Sequence, residues 1–314
     1  MKPKIVFMGT PEFAVASLDA ICNAGYDVTA VVTVPDRKAG RGQKIVFSPV
    51  KEYALSHNLP LLQPEKLRDE TFITQLRNTA ADLFVVVAFR MLPKVVWDMP
   101  PMGTFNLHAS LLPHYRGAAP INWAIINGEK KTGVTTFMLN ERIDEGGILI
   151  QNTTPISAND TAETLHNRLA AMGAALVVET ISGLATGKLK PQQQPSITDL
   201  KSAPKIFKED CAINWKKNGA EIVNFVRGLN PYPAATTAMT DERGQTHNFK
   251  IYDVSFDNEM IGYGTIQTDS KKYLKVGCND GCINILSIQI EGKRRNSIEE
   301  FLRGYDISSW KLTS

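Results

Sequence analysis

The stretch F-N-L-H-A-S-L-L-P-H-Y-R-G-A-A-P, Phe105 to Pro120, decides how the rest of the chain is read. Thr104, Phe105 and Leu107 form the end of a buried strand, and Pro113, which lacks an amide hydrogen, forbids its continuation. Period two along a strand puts Asn106 and His108 on one face. An amide donor and an imidazole facing the same way suit a carbonyl oxygen that becomes negative during acyl transfer. The same pair can equally be ordinary polar groups satisfied at a loop. Ser110 to Pro113 makes a short wall, and Arg116-Gly117 turns the chain before a helix from about residue 118. Further on, Asp144 sits in R-I-D-E-G-G, between apparent strands at Val134–Leu139 and Ile148–Asn152. A loop aspartate usually caps a turn. Beside an imidazole it would favour the charged ring and fix its tautomer.

Upstream the pattern alternates strand and helix. Lys4 to Met8 is a short apolar run ending at Gly9, followed by a helix from about Glu12 to Asn23. Gly9 stands alone, without the other glycines of G-x-G-x-x-G, so a dinucleotide cofactor is not expected and Gly9 reads as a tight βα turn. Strands follow at Val28–Val34 and Leu83–Ala88, the latter apolar throughout, as in a parallel sheet buried on both faces. Helical patterns lie between them at Val50–His57 and Glu70–Asn78. The result is an α/β, Rossmann-like domain with a mostly parallel sheet. Thr161–Ala185 is a long helix whose Leu165, Leu169, Met172 and Leu176 form one core stripe. The proline-interrupted, glutamine-rich stretch 188–204 reads as a linker. Beyond it come a short helix at Ile222–Leu229 and short strands at Phe249–Phe256, Gly264–Thr268, Leu274–Cys278 and Cys282–Gln289, which suggest a small OB-like β-barrel domain. The expected division is 1–187, a linker at 188–204, and 205–314.

A chain of 314 residues suits two domains, and its 43% of hydrophobic residues fill a core easily. A formal charge of +3 does not by itself point to nucleic acid, so polyanion contact must come from local clusters. Pro35 to Lys44 is such a cluster, with Arg37, Lys38, Arg41 and Lys44 against Asp36. It reads as a solvated basic loop or as a phosphate-gripping one. Cys278-Asn-Asp-Gly-Cys282 has no second Cys or His pair, so it is a hairpin turn and no metal is expected. Met1 to Met8 reads as a strand rather than a leader, and no apolar run approaches the ~20 residues of a membrane span. A cytoplasmic monomer is expected.

N-L-H-A-S-L-L-P-x-Y-R-G-A-A-P followed by I-D-x-G closely resembles the 10-formyltetrahydrofolate-dependent formyltransferases. V-F-M-G-T-P-E-F-A, P-D-R-K-A-G-R-G-Q-K, S-P-V-K, G-L-N-P-Y-P-A-A and G-K-R-R extend the resemblance, in order, over nearly the whole chain. The resemblance implies formyl transfer from 10-formyltetrahydrofolate, with Asn106, His108 and Asp144 as the catalytic groups and no metal. It implies a folate pocket from Phe89, Arg90, Met91 and Leu92 with Ser110, Leu111, Leu112 and Pro113. A basic insertion at Pro35–Lys44 and a C-terminal barrel mark the branch acting on methionyl initiator tRNA. Arg37, Lys38, Arg41 and Lys44 would then meet the acceptor stem, and Lys271, Lys272, Lys293, Arg294 and Arg295 the RNA backbone. The rival reading is a formyltransferase for a small amine, such as an amino sugar or a glycinamide ribonucleotide. This chain departs from the family pattern in a shortened Phe89–Pro93 turn with Arg90 near the usual glycine. It also departs at Glu145 and Gly147, and at His114, Asn122 and Trp123.

Overall fold

The structure is a computed structural model and describes residues 2–39 and 44–313. Strand β1 (Lys4–Gly9) is buried from Ile5 onward and runs straight into helix α1 (Glu12–Asn23). A Cβ on Gly9 would lie 2.7 Å from the Cβ of Ala14 and 3.1 Å from the carbonyl oxygen of Val87. Only glycine lets the chain turn that tightly against its neighbours, which is the role the sequence assigns to it.

The chain continues through β2 (Asp27–Val32), a hairpin of β3 (Arg37–Ala39) and β4 (Lys44–Val46), α2 (Pro49–Ser56) and β5 (Leu61–Leu62). Ser48 caps α2 by accepting from the Lys51 amide, and Pro49 takes the first turn, where no amide hydrogen is missed. Then come α3 (Glu70–Asn78), β6 (Leu83–Val87), α4 (Lys94–Trp97) and β7 (Thr104–His108). Two-residue β8 (Arg116–Gly117) precedes α5 (Pro120–Ile126), β9 (Lys131–Met138), β10 (Ile148–Pro155) and α6 (Ala162–Ala185). One sheet takes the order β10-β9-β7-β6-β1-β2-β5. Its strands from β5 to β7 are parallel, and β9 returns antiparallel to β7. β6 is buried at every residue, as its uninterrupted apolar run requires.

Helix α6 covers the face of β7 that carries Leu107. A Cβ on Gly173 would lie 2.6 Å from a methyl of Leu107, so the helix approaches the sheet more closely than any other residue would permit. Leu165, Leu169 and Leu176 on its stripe are fully buried. By length and composition α6 is also long and apolar enough to cross a membrane, contrary to the expectation of no such run. Its buried stripe accounts for that composition as core packing. Because Leu107 faces α6, period two turns Asn106 and His108 to the opposite face.

By contacts the chain divides into two units, one of residues 1–117, 131–154 and 166–202, the other of 118–130, 155–165 and 203–314. The second unit adds two-residue β11 (Ser202–Ala203) at its border, then α7 (Gly219–Leu229), β12 (Ala235–Thr240), β13 (Thr246–Asp257), β14 (Ile266–Thr268), β15 (Leu274–Cys278) and β16 (Gly281–Ile290). It closes with β17 (Asn296–Ser297), α8 (Ile298–Leu302) and β18 (Lys311–Leu312). These strands form an antiparallel sheet in the order β14-β15-β16-β13-β12-β18 that curls into a nearly closed barrel around Val226, Phe249, Ile251, Ile283, Ile288 and Phe301. Register shifts around Asp253 let the 12-residue β13 bend. The hairpin joins Cys278 to Gly281 through Asn279-Asp280, and both strand cysteines are free. Asn122 donates to the Gly228 carbonyl and Trp123 to that of Pro204, so both residues serve packing within this unit.

Strand β9 touches both its neighbour and the wall after β7. A Cβ on Gly133 would lie 2.0 Å from the Asn152 carbonyl oxygen and 2.6 Å from a Leu111 methyl. Gly133→Ala is expected to cost about 1–3 kcal/mol by overpacking, read as a lower midpoint in urea unfolding.

Candidate active site

The site is assembled at the end of β7, where the chain leaves the sheet. His108 is 6% exposed, and its Nε2 lies 2.7 Å from the Tyr115 carbonyl oxygen. A carbonyl oxygen only accepts, so Nε2 carries the proton and the neutral ring has a lone pair at Nδ1. That Nδ1 lies 4.0 Å from Oδ2 of Asp144, which accepts from the Gly117 amide at 3.0 Å. At this separation Asp144 does not hydrogen-bond the ring directly. The tautomer expected from Asp144 is therefore fixed by Tyr115 instead. Asn106, two residues back on the same face, has an amide that no described residue engages.

Backbone conformation aims these groups. Tyr115 has φ 61° and Asp144 φ 54°, both in the left-handed region that non-glycine residues seldom enter. The Tyr115 amide donates to the Lys201 carbonyl at 2.6 Å, which holds the residue in that conformation. Ala88, at the end of β6, has φ 47° and is of the same kind. Such residues cluster where the surrounding structure can hold them, commonly at functional sites.

The folate residues read from the sequence fall beside these groups. Val87 pairs with Leu107, so the turn Phe89–Leu92 leaves the sheet next to His108. Among the described residues nothing pairs with the backbone amides of that turn. Arg90 turns away from it and donates to the carbonyls of Pro64 and Glu65 at 2.8 and 3.0 Å. Burial, and then the nearby Arg37 charge, push Arg90 below the ordinary arginine range. The wall from Ser110 to Pro113 is engaged inside the chain. Ser110 donates to the His114 carbonyl, Thr135 links the Ser110 carbonyl to the Leu112 amide, and Gln151 donates to the Leu112 carbonyl. Leu111 is left partly exposed on that wall.

Several residues at the site escaped the sequence reading. Glu145 pairs with Arg116 at 3.0 Å, and Arg116 reaches Gln194 in the stretch read as a linker. The amide of Gln194 donates to the Asp144 and Gly146 carbonyls at 2.7 and 2.9 Å. The opposite charge of Glu145 in the sequence could have marked Arg116, whereas nothing in P-Q-Q-Q-P singles out Gln194. Gly146 packs so closely that a Cβ would lie 1.6 Å from the Met138 carbonyl oxygen, and one on Gly147 would lie 2.7 Å from Pro191.

The cations assigned to RNA belong to the β3–β4 segment of one unit and to turns of the other. Arg37 is exposed on β3, Lys38 and Lys44 belong to the same hairpin, and Arg41 lies outside the described residues. Lys271 and Lys272 sit in the β14–β15 turn, where Asp269 accepts from their amides. Lys293 and Arg294 are exposed in the β16–β17 turn, while Arg295 stacks 4.4 Å from the Tyr252 ring and donates to Ser287. Among the described residues one acid–thiol grouping has metal-like spacing, Asp257, Glu259 and Cys282. The Lys275 ammonium already pairs with both carboxylates, at 3.1 and 2.5 Å, and burial pushes the Cys282 thiol up.

Residues 3–181 match the family described as formyl transferase, and residues 205–306 match the formyl transferase C-terminal domain. The chain belongs to the formyl transferase family. Relatives in this family include the methionyl-tRNA formyltransferase of Bacteroides thetaiotaomicron, 50% identical over 97% of this chain and 96% of that one. The methionyl-tRNA formyltransferase of Azobacteroides pseudotrichonymphae is 52% identical over 96% of each chain. Among solved structures, the sugar 3N-formyl transferase WlaRD, crystallised with dTDP and 5-N-formyl-THF, has a TM-score of 0.64 at 23% identity, covering 94% of this chain and all of its own. HypX from Aquifex aeolicus, in complex with tetrahydrofolic acid, has a TM-score of 0.63 at 18% identity, covering all of this chain and 51% of its own. At these identities the structures support the formyl transferase fold.

Gly146→Ala is expected to lower kcat while leaving the protein folded. The added methyl has to lift the Asp144 loop off β9, and misplacement on the order of 1 Å costs about 10²-fold in rate. Steady-state kinetics beside a far-ultraviolet spectrum test this, and unchanged kcat would mean that the loop adapts.

Proposed function

We propose that this chain transfers the formyl group of 10-formyltetrahydrofolate to the α-amino group of methionyl initiator tRNA, in keeping with the name its half-identical relatives carry. The observation that carries the reading is the setting of His108, with one ring nitrogen on the Tyr115 carbonyl and the other turned toward Asp144. On the donor side, the backbone amides of the Phe89–Leu92 turn, which no described residue engages, suit the edge of a flat, hydrogen-bonding heterocycle. Arg90, drawn back to Pro64 and Glu65, leaves that edge to the backbone.

Bound 10-formyltetrahydrofolate supplies the formyl carbon and, at N10, the leaving nitrogen. A free α-amine has a pKa near ~8, so a useful fraction is neutral at pH 7 and can attack. Asn106 donates to the carbonyl oxygen as the new carbon–nitrogen bond makes it negative. His108 offers its Nδ1 lone pair to the proton that the attacking nitrogen must lose. Once it has that proton, Nδ1–H also becomes a donor to the oxyanion. Asp144 then faces a cationic ring and offsets its charge. His108 returns the proton to the leaving nitrogen as the old carbon–nitrogen bond breaks. Donation to the oxyanion by His108 thus belongs to the protonated ring, because its other N–H is held by Tyr115.

The proposed RNA contacts are Arg37, Lys38, Arg41 and Lys44 of the basic segment and the cations of the barrel turns. The three reacting groups come from one unit of one chain, so the reading is of a monomer, working in the cytoplasm where charged tRNA is met. The deciding assay is formyl transfer from 10-formyltetrahydrofolate to charged initiator tRNA, with a nucleotide-linked amino sugar and a glycinamide ribonucleotide as competing acceptors. Preference for either small amine would overturn the reading.

Asn106→Ala and His108→Ala are each expected to lower kcat by on the order of 10²–10³ with folate affinity nearly unchanged. Wild-type turnover in either folded variant would remove that residue from the mechanism. Arg41→Ala combined with Lys44→Ala is expected to weaken tRNA use and lower the salt slope by about 0.7–0.9 per lost contact. A series of kcat/KM values at rising salt reads this out, and an unchanged slope would move RNA binding to the barrel.

A further inference from the structure

Three segments distant in sequence meet around His108, and one side chain touches two of them. Residues 115–117 contribute the Tyr115 carbonyl to Nε2 of His108 and the Gly117 amide to the Asp144 carboxylate. Residues 144–146 carry Asp144 itself. Gln194 lies between them, 8% exposed. Its Nε2 donates to the Asp144 and Gly146 carbonyls, and its Oε1 accepts from Arg116 Nε and Nη2 at 3.2 and 2.7 Å. A primary amide has two N–H donors and an oxygen with two lone pairs, and here all four are used. Exchanging its oxygen and nitrogen would set the oxygen against two carbonyls and the NH2 against a guanidinium, so the network itself fixes the assignment. Glu145 holds the third guanidinium nitrogen at 3.0 Å, which leaves Arg116 no freedom to follow another partner.

We propose that Gln194 is a positioning residue of the reaction centre, setting the distance between Asp144 and His108 through Arg116 and the Asp144 loop. The inference rests on the formyl-transfer reading of His108 and Asp144. Gln194 touches no reacting atom. It spans from the main chain of the Asp144 loop to the side chain lying between Tyr115 and Gly117, the two residues that hold His108 and Asp144. The Asp144 loop is otherwise attached to that tripeptide by the Gly117 amide on the Asp144 carboxylate and by the Glu145–Arg116 pair. Loss of the Gln194 link loosens a left-handed residue and leaves the buried Gly146 carbonyl without a donor. The damage should fall on the transition state, where the new charge of His108 needs Asp144 in place, rather than on binding of either substrate.

The test is a double-mutant cycle of Gln194→Met, which keeps the side chain's length and removes its polar atoms, with Asp144→Asn. Alone, Gln194→Met is expected to lower kcat by about 10–100-fold, with KM for folate and for charged tRNA moving less than about three-fold. In the Asp144→Asn background the same change is expected to lower kcat by less than about two-fold, because the group it positions has already lost its charge. Thermal unfolding of each variant checks that it is folded. Gln194→Glu, which keeps the acceptors for Arg116 and loses both donors, carries the same cycle should the methionine variant not fold. Equal fold-losses in the two backgrounds would make Gln194 an independent packing residue and overturn the inference. So would wild-type kcat in Gln194→Met beside a large loss in Asp144→Asn. Wild-type kcat in Asp144→Asn itself would instead overturn the role given to Asp144, and the inference with it.

Discussion

The hydrogen bond from His108 Nε2 to the Tyr115 carbonyl is the constraint on which the rest of the site depends. A neutral imidazole has one proton, and a carbonyl that can only accept decides where it stays. Every role available to the other nitrogen follows from that. It can take a proton, and only then can it give one or feel a carboxylate as a counter-charge. The sheet supports this bond from behind, because Leu107 is locked under α6 at Gly173 and the next residue cannot rotate away. Tyr115 supports it from the front by adopting a conformation that is uncommon for a tyrosine and is tied by its own amide to Lys201.

Ala88, Tyr115 and Asp144, three of the seven described non-glycine residues with positive φ, lie just after β6, just before β8 and in the loop between β9 and β10. Each such residue costs on the order of 1–2 kcal/mol against a relaxed backbone. The wall of Ser110 and Leu112, whose polar groups are met by Thr135, Gln151 and the His114 carbonyl, gives these turns a rigid base. Gly133 lets β10, and Gly146 lets the Asp144 loop, come into backbone contact with β9 where any side chain would intervene. The geometry at His108 is therefore held mainly by main chain, and side chains such as Arg116 and Gln194 brace it.

What could be read beforehand follows from this division of labour. Strand period placed Asn106 and His108 on one face, and the uninterrupted apolar run of β6 announced a sheet buried on both sides. Gly9 was legible because a lone glycine between a strand and a helix has one common use, the tight turn that joins them. The Tyr115 carbonyl was not legible, since every residue has one and nothing in the sequence says which will point at a histidine. Gln194 was hidden for a related reason. Its partners are main-chain carbonyls and an arginine 78 residues away, while its surroundings have the proline-rich look of a tether. Arg90 stood out in the sequence as a departure from the pattern of the family it resembles, with nothing to say where its guanidinium would go. It proves to be anchored to Pro64 and Glu65 instead. In the barrel, β12 went unnoticed because A-T-T-A-M-T has a single large apolar residue, Met239, and its pairing along β13 supplies what its other side chains do not.

The order in which these parts occur along the chain has a consequence for synthesis. A nascent chain that has reached β10 already contains Asn106, His108, Tyr115 and Asp144, yet not the amide of Gln194. Linking residue 194 back to 144 and 116 closes loops of 50 and 78 residues, each with a closure entropy that grows slowly with its length. The contacts around Asp144 are thus complete only once residue 194 is present, and a fragment ending at β10 would carry the motif without the amide that braces it.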